Sequence, residues 1–227
     1  HAAPDWLRST CQLGVVPANG MTYIGQDPCS CYAGSKVPWL KAIPGYRSRE
    51  SAPTPDEARL VKGPAFGQAP SPDRGAPSPD DWPTYRRDPA RSGSTPAALP
   101  EDLRPLWRVP VGGQLTQAAI AGDAVVLSRK DAFAVLCLDA ASGKTRWTFL
   151  ADGMVDSTPT LDGGFAYFGC AAGRVYCVRL SDGALAWKYL LAPEERRGMA
   201  FQRLQSAWPV HGSVVVSGGK VFACAGI

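Results

Sequence analysis

What this sequence lacks narrows the field before anything in it is read. No run of 18 apolar residues occurs, so no transmembrane helix is encoded. Charged residues are 19% of the chain where about 25% is usual, and the net charge is only +4. The longest basic clusters are the pairs Arg86-Arg87 and Arg196-Arg197, which read as solvated surface and argue against a nucleic-acid partner. Histidine is limited to His1 and His211, and neither C-x-x-C nor C-x-x-C-H is found, which removes the common redox and haem-attachment motifs. Ser213 is the wrong serine for a nucleophile, because no G-x-S-x-G elbow surrounds it.

Glycine and proline, by contrast, are abundant: Gly 24 and Pro 21 make up about a fifth of the 227 residues, against about 12% in average usage. That composition excludes a helical bundle or a coiled coil. The 45% hydrophobic content is ordinary and suffices for a core. Fourteen of the prolines lie between Pro44 and Pro110, so two kinds of chain are joined here. The chain opens on His1 with no visible signal peptide, and its start reads as processed or truncated.

Seven cysteines fall in two groups: Cys11, Cys29 and Cys31, then Cys137, Cys170, Cys177 and Cys224. An odd number leaves at least one thiol unpaired within the chain. The first group offers three thiolates where a closed zinc site takes four ligands, so a disulfide from Cys11 to Cys29 or Cys31 is the blander reading and no metal site is expected. Cys137 and Cys177 occupy equivalent third-strand positions and read as buried packing. A bond between Cys170 and Cys177 would need strain.

Residues 1–45 carry a hairpin signal, with Leu13 to Val16 and Met21 to Ile24 flanking Asn19-Gly20; that dipeptide suits a type I′ turn. One hairpin makes no core, so this Cys-containing segment reads as the end of an upstream domain. Residues 46–80 read as a Pro-rich linker, with seven prolines between Arg47 and Asp80 and too little apolar area to offset ordering of the backbone.

From residue 81 the chain repeats itself. "LDAASGKTRW" ends at Trp147 and "VRLSDGALAW" at Trp187, a spacing of 40. "TQAAIAGDAVVLS", "STPTLDGGFAYFG" and "SAWPVHGSVVVSG" align upstream of the turns. One repeat predicts four short strands, Thr158–Leu161, Phe165–Gly169, Arg174–Leu180 and Leu185–Leu190, and four strands recurring at about 40 residues is the pattern of propeller blades. The expected fold is all-β, a partial β-propeller of four-stranded blades over 81–227 with about three blades present. Trp147 and Trp187 are the expected inter-blade packing rings, and Gly143 and Gly183 the turns that need positive φ. Closing a ring takes six to eight blades, so the chain reads as a fragment cut at both ends.

These motifs resemble the pyrroloquinoline-quinone-type repeat, the tryptophan-docking blade of quinoprotein dehydrogenases and of the outer-membrane-assembly propeller lipoprotein. The entry "DWPTYRRDPARSG", the join "LAPEERRGMAFQRLQSAWPVHGSVVV" and "CQLGVVPANGMTYIGQDPCSCY" resemble a subgroup of large propeller proteins best represented in planctomycetes. The resemblance implies a bacterial, periplasmic or otherwise extracytoplasmic protein. It implies a non-catalytic module for protein or carbohydrate binding and scaffolding, with part of a pyrroloquinoline-quinone-dependent oxidoreductase as the alternative. In the alcohol dehydrogenases of this kind the quinone is accompanied by an adjacent Cys-Cys pair, an Asp base and a calcium site of Glu, Asn and Asp. No Cys-Cys pair occurs here, so quinone with calcium is a cofactor by resemblance alone and catalytic residues are not assigned. A domain of a larger enzyme, with its catalytic part upstream, is the intermediate reading.

The stretch Leu191 to Ser206 lengthens one connection between blades. Pro193 before Glu194-Glu195 predicts a helix start ending near Gly198. The ligand-facing candidates are Glu194, Arg196, Arg197, Gln202, Arg203 and His211, the last as general base or, more simply, as a hydrogen-bonded structural residue.

Overall fold

The computed structural model describes residues 15–18, 21–24, 41–44, 53–68, 78–98, 100–200 and 203–226, in two compact units. In the first, β1 (Val15–Ala18), β2 (Met21–Ile24) and β3 (Lys41–Pro44) form an antiparallel sheet in that order. Ala18 pairs with Met21, so two residues, Asn19 and Gly20, connect the strands, while β3 is a strand that hydrophobic alternation did not announce. Cys11, Cys29 and Cys31 lie outside the described residues. The same unit includes residues 197–205.

The second unit holds the repeats. β5 (Ala119–Ala121), β6 (Ala124–Arg129), β7 (Ala134–Asp139) and β8 (Thr145–Leu150) form one four-stranded meander, and β9 (Thr160–Asp162), β10 (Phe165–Cys170), β11 (Arg174–Arg179) and β12 (Leu185–Leu190) form the next. β15 (Val215–Ser217) and β16 (Lys220–Phe222) make a hairpin at the matching point of a third repeat. Each meander is a propeller blade. The register repeats with the sequence: Cys137 pairs with Trp147 and Cys177 with Trp187, with an irregularity after each cysteine. Both thiols are buried and neither forms a disulfide.

Packing between the blades explains the glycines and the tryptophans together. Trp147 of β8 is 8% exposed and its Nε1 donates to the Leu180 carbonyl at 2.9 Å. Gly183, at φ +74°, presses against its ring, and an added Cβ would lie 2.8 Å from ring atom Cδ2. Trp107 does the same one repeat earlier, donating to the Ala140 carbonyl at 2.8 Å with its ring over Gly143. Around Trp147, side chains of both blades interlock: Val126, Val135 and Cys137 from one, Leu161, Phe168 and Tyr176 from the other. Phe149 meets Phe168 and Tyr176 edge-on at 5.8 and 5.6 Å between ring centres. Burying aliphatic and aromatic side chains of this size contributes roughly 1.5–3 kcal/mol each, so this layer dominates the stability of the unit.

Two expectations are corrected. Within the expected linker, Thr54 to Gln68 is a structured strap: α1 (Asp56–Arg59) leads into β4 (Leu60–Lys62), which pairs antiparallel with β12 as a fifth strand. Composition measures apolar burial, and here the chain is held by backbone pairing to an existing edge, which composition does not report. The helix start at Pro193 is also absent; residues 192–194 are a bend, followed by β13 (Arg197–Ala200) and β14 (Arg203–Ser206). The Pro193 carbonyl is taken by the Thr54 amide, and so short a segment lacks the length to nucleate a helix.

Candidate functional site

In a meander of four strands, the link to the next blade and the hairpin between the second and third strands emerge on the same side. Three such segments meet there: Leu115–Gln117 leading into β5, Asp156–Thr158 leading into β9, and Gly212–Ser213 leading into β15. With Tyr85 and Lys130 they line a polar cavity of about 330 Å³. Ser157 Oγ donates to the Gly212 carbonyl at 2.9 Å, tying two of the entries together. His211 Nδ1 pairs with Asp156 Oδ2, and this hydrogen bond to a carboxylate raises the imidazole pKa above its ordinary value against the opposing pull of burial. Asp156 Oδ1 is buried and has no hydrogen-bond partner among the described residues. A buried acceptor left open costs about 1–3 kcal/mol.

The entry segment forms the support beneath. Trp82 bridges to Ile120 of β5, the Pro83 carbonyl accepts from the Leu161 amide, and Thr84 Oγ1 meets Thr160 Oγ1 at 2.7 Å. Arg91 closes the run, donating to the carbonyls of Tyr85 at 2.6 Å and Ser213 at 3.1 Å. The segment thus crosses the first-strand edges of successive repeats. Arg86, Arg87 and Arg91 sit at φ 55°, 76° and 60°, a left-handed conformation costing an L-residue of order 1–3 kcal/mol. The hydrogen bonds of Arg91 and the bond from the Gly93 amide to the Arg86 carbonyl, 3.0 Å, hold that conformation in place.

A second, apolar cleft of about 810 Å³ lies between β12 and the β15–β16 hairpin. Trp187, Tyr189, Val221, Phe222, Leu60 and Phe66 contribute most of its apolar wall, and His211 stands at its polar margin. Among the described residues Trp187 makes no hydrogen bond of the kind that Trp107 and Trp147 make; its ring packs on Tyr167 at 6.2 Å. Phe222 is 53% exposed.

Of the six ligand-facing candidates, five lie among the described residues. Glu194 pairs with Arg196 at 3.6 Å, and Arg196 lies over the Trp208 ring at 5.5 Å. Arg197 and Arg203 stand on β13 and β14, assigned to the first unit, and Gln202 lies outside the described residues. His211 lines the apolar cleft. Sequence reading missed Asp156, which lies 55 positions from His211 and carries no local signal. It also missed Trp107, although the spacing from Trp107 to Trp147 to Trp187 is 40 throughout.

Residues 90–226 match the family described as outer membrane protein assembly factor BamB. The chain belongs to this family. No curated protein matches the chain. Among solved structures, BamB from Moraxella catarrhalis is 25% identical with a TM-score of 0.36, over 48% of this chain and 29% of that one. Quinohemoprotein alcohol dehydrogenase ADHIIG from Pseudomonas putida HK5 is 17% identical with a TM-score of 0.50, over 66% of this chain and 23% of that one. The quinohemoprotein alcohol dehydrogenase from Comamonas testosteroni is 20% identical with a TM-score of 0.52, over 66% and 24%. At that identity the two dehydrogenases show the propeller fold alone. This BamB-family chain spans about a quarter of the length of these structures.

The described residues do not by themselves fit a quinone held against calcium. Among the described residues no three His, Cys, Asp or Glu side chains converge. Lys130 is the one cationic side chain lining the polar cavity, which is little to set against a polyanionic quinone. No described helix is long and apolar enough to cross a membrane.

Proposed function

We propose that this chain is a non-catalytic, extracytoplasmic β-propeller module that binds a partner, a protein in preference to a carbohydrate. The observation that carries this reading is the match of residues 90–226, on blades of this fold, to a family described as an outer membrane protein assembly factor. The family description, an outer membrane assembly factor, supports both the scaffolding role and the compartment. Residues 81–227 serve as the propeller part, and residues 1–45 belong to a separate, preceding body.

The test is a photocrosslinking amino acid placed at Tyr85, on the polar cavity of the full chain, expressed in its native host. A defined protein adduct, lost when Lys130→Glu is added and retained with Lys144→Ala at the other end of the same blade, is the expected result. No adduct, or an adduct indifferent to Lys130→Glu, refutes it. The alternative, part of a pyrroloquinoline-quinone-dependent alcohol or sugar dehydrogenase, draws on the likeness to the two dehydrogenase structures. Dye-linked alcohol oxidation by the full-length protein supplied with the quinone and calcium would establish it in place of the first reading.

A further inference from the structure

We propose that the outer edge of β12 is a binding groove for an extended peptide of the pattern Arg-x-x-x-Gly-x-Ala, filled in this chain by its own residues 54–68. The strap contributes Leu60 and Phe66 to the wall of the apolar cleft, and the proposal does not depend on the reading of the chain as a partner-binding module.

Three contacts read the pattern. The Arg59 guanidinium is received by backbone carbonyls where β12 ends: Leu190 at 3.3 Å, Ala192 at 3.1 Å and Pro193 at 3.1 Å. A cation with several fixed donors matches such a cluster of carbonyl acceptors better than any neutral side chain. Gly63 donates its amide to the Ala186 carbonyl at 2.9 Å and lies so close to β12 that an added Cβ would collide with the Leu185 carbonyl. Ala65 donates to the Leu185 carbonyl at 3.0 Å, and its methyl is fully buried with Ala186 and Cys177. Between the Arg and the Gly, Leu60, Val61 and Lys62 pair with Tyr189, Lys188 and Trp187. Main-chain pairing with side-chain seats at fixed spacing is how strand-addition sites obtain affinity and specificity.

The groove is particular to this blade. One repeat earlier, at the position of Ala186, β8 carries Arg146, a long cation that pairs with Asp123 and Asp139 where the β12 groove has a methyl group. Among the described residues β8 has no fifth strand beside it.

The strap is also built to leave. Ala65 is its one fully buried residue, so hydrogen bonds rather than apolar burial hold it. Elements of that kind open locally at low cost. A lifted strap exposes an unpaired strand edge that another chain bearing the same pattern can occupy.

The test uses the full chain and its Gly63→Val variant, with a fluorescent peptide of residues 53–68 as probe. The expected result is saturable binding to the variant at least ten-fold tighter than to the parent chain, whose groove is filled. A peptide carrying Arg59→Ala or Gly63→Val should bind at least ten-fold more weakly. Hydrogen exchange over Leu185–Leu190 should rise in the variant and fall again with peptide. Unchanged exchange in the variant, or raised exchange that the peptide does not reverse, overturns the proposal. The Arg59→Ala chain, which leaves the blade core untouched, serves the same two readouts if the valine variant does not fold.

Discussion

Replacing Gly183 by alanine separates backbone conformation from inter-blade packing at a single atom. Gly183 sits at φ +74° with the Trp147 ring 2.8 Å from where the new Cβ would be. The left-handed backbone costs alanine roughly 1–2 kcal/mol, and forcing a carbon into a packed ring contact adds typically 1–3 kcal/mol, so a total loss of about 2–5 kcal/mol is expected. Gly163 is the control: its φ is +54° and nothing lies within 4 Å of its added Cβ. Gly163→Ala should therefore cost only the backbone part, about 1–2 kcal/mol. The stiffening of the unfolded chain by alanine is common to both and cancels in the comparison. Urea unfolding followed by circular dichroism measures the two, and a double-mutant cycle with Trp147→Leu completes the test, because the cost of Gly183→Ala should fall to that of Gly163→Ala once the ring is gone. Equal costs for the two glycines, or a Gly183→Ala cost unchanged in the Trp147→Leu background, would refute the claim that this ring and this turn lock the blades.

Trp107→Phe keeps a ring over Gly143 but removes the bond to the Ala140 carbonyl; a loss of about 0.5–1.5 kcal/mol in urea unfolding is expected, and no loss would show that the indole N–H contributes nothing. Thiol labelling should separate the cysteines of the repeats, since burial pushes the Cys177 thiol up to about 12 while Cys224 is exposed; mass spectrometry of timed alkylation near neutral pH should find Cys224 modified well before Cys177. The His211–Asp156 pair has a set sign: with the folded imidazole pKa raised, its stabilisation is complete below the unfolded value of about 6.5 and disappears as pH rises through the folded value. The Tm gap between the parent chain and His211→Ala should therefore be wider in acid than in mild alkali, and a gap independent of pH would contradict the pairing.

How far each feature could be read in the sequence depended on the range of the interaction behind it. The blades were legible because their strands, turns and tryptophans recur every 40 residues, and the observed β12 has the predicted bounds, Leu185–Leu190. The candidate site was barely legible. His211 could be singled out, but Asp156 could not, because their pairing joins two connections from different repeats. Glu194 and Arg196 form a local pair and line neither of the two cavities described above, since charge clustering along the chain says nothing about where a bent connection points.

The strap marks the boundary between the two kinds of knowledge. By itself the sequence determined the repeat, the four-strand blade and the inward-facing residues, because hydrophobic alternation, Gly turns and regularly spaced tryptophans act within or between neighbouring repeats. Only the tertiary structure decided that a segment of spacer-like composition runs along β12. That outcome rests on an edge with Ala186 where the previous blade has Arg146, on a glycine approaching a carbonyl, and on an arginine reaching carbonyls 131 to 134 positions away. Such contacts leave no periodicity in the chain that makes them.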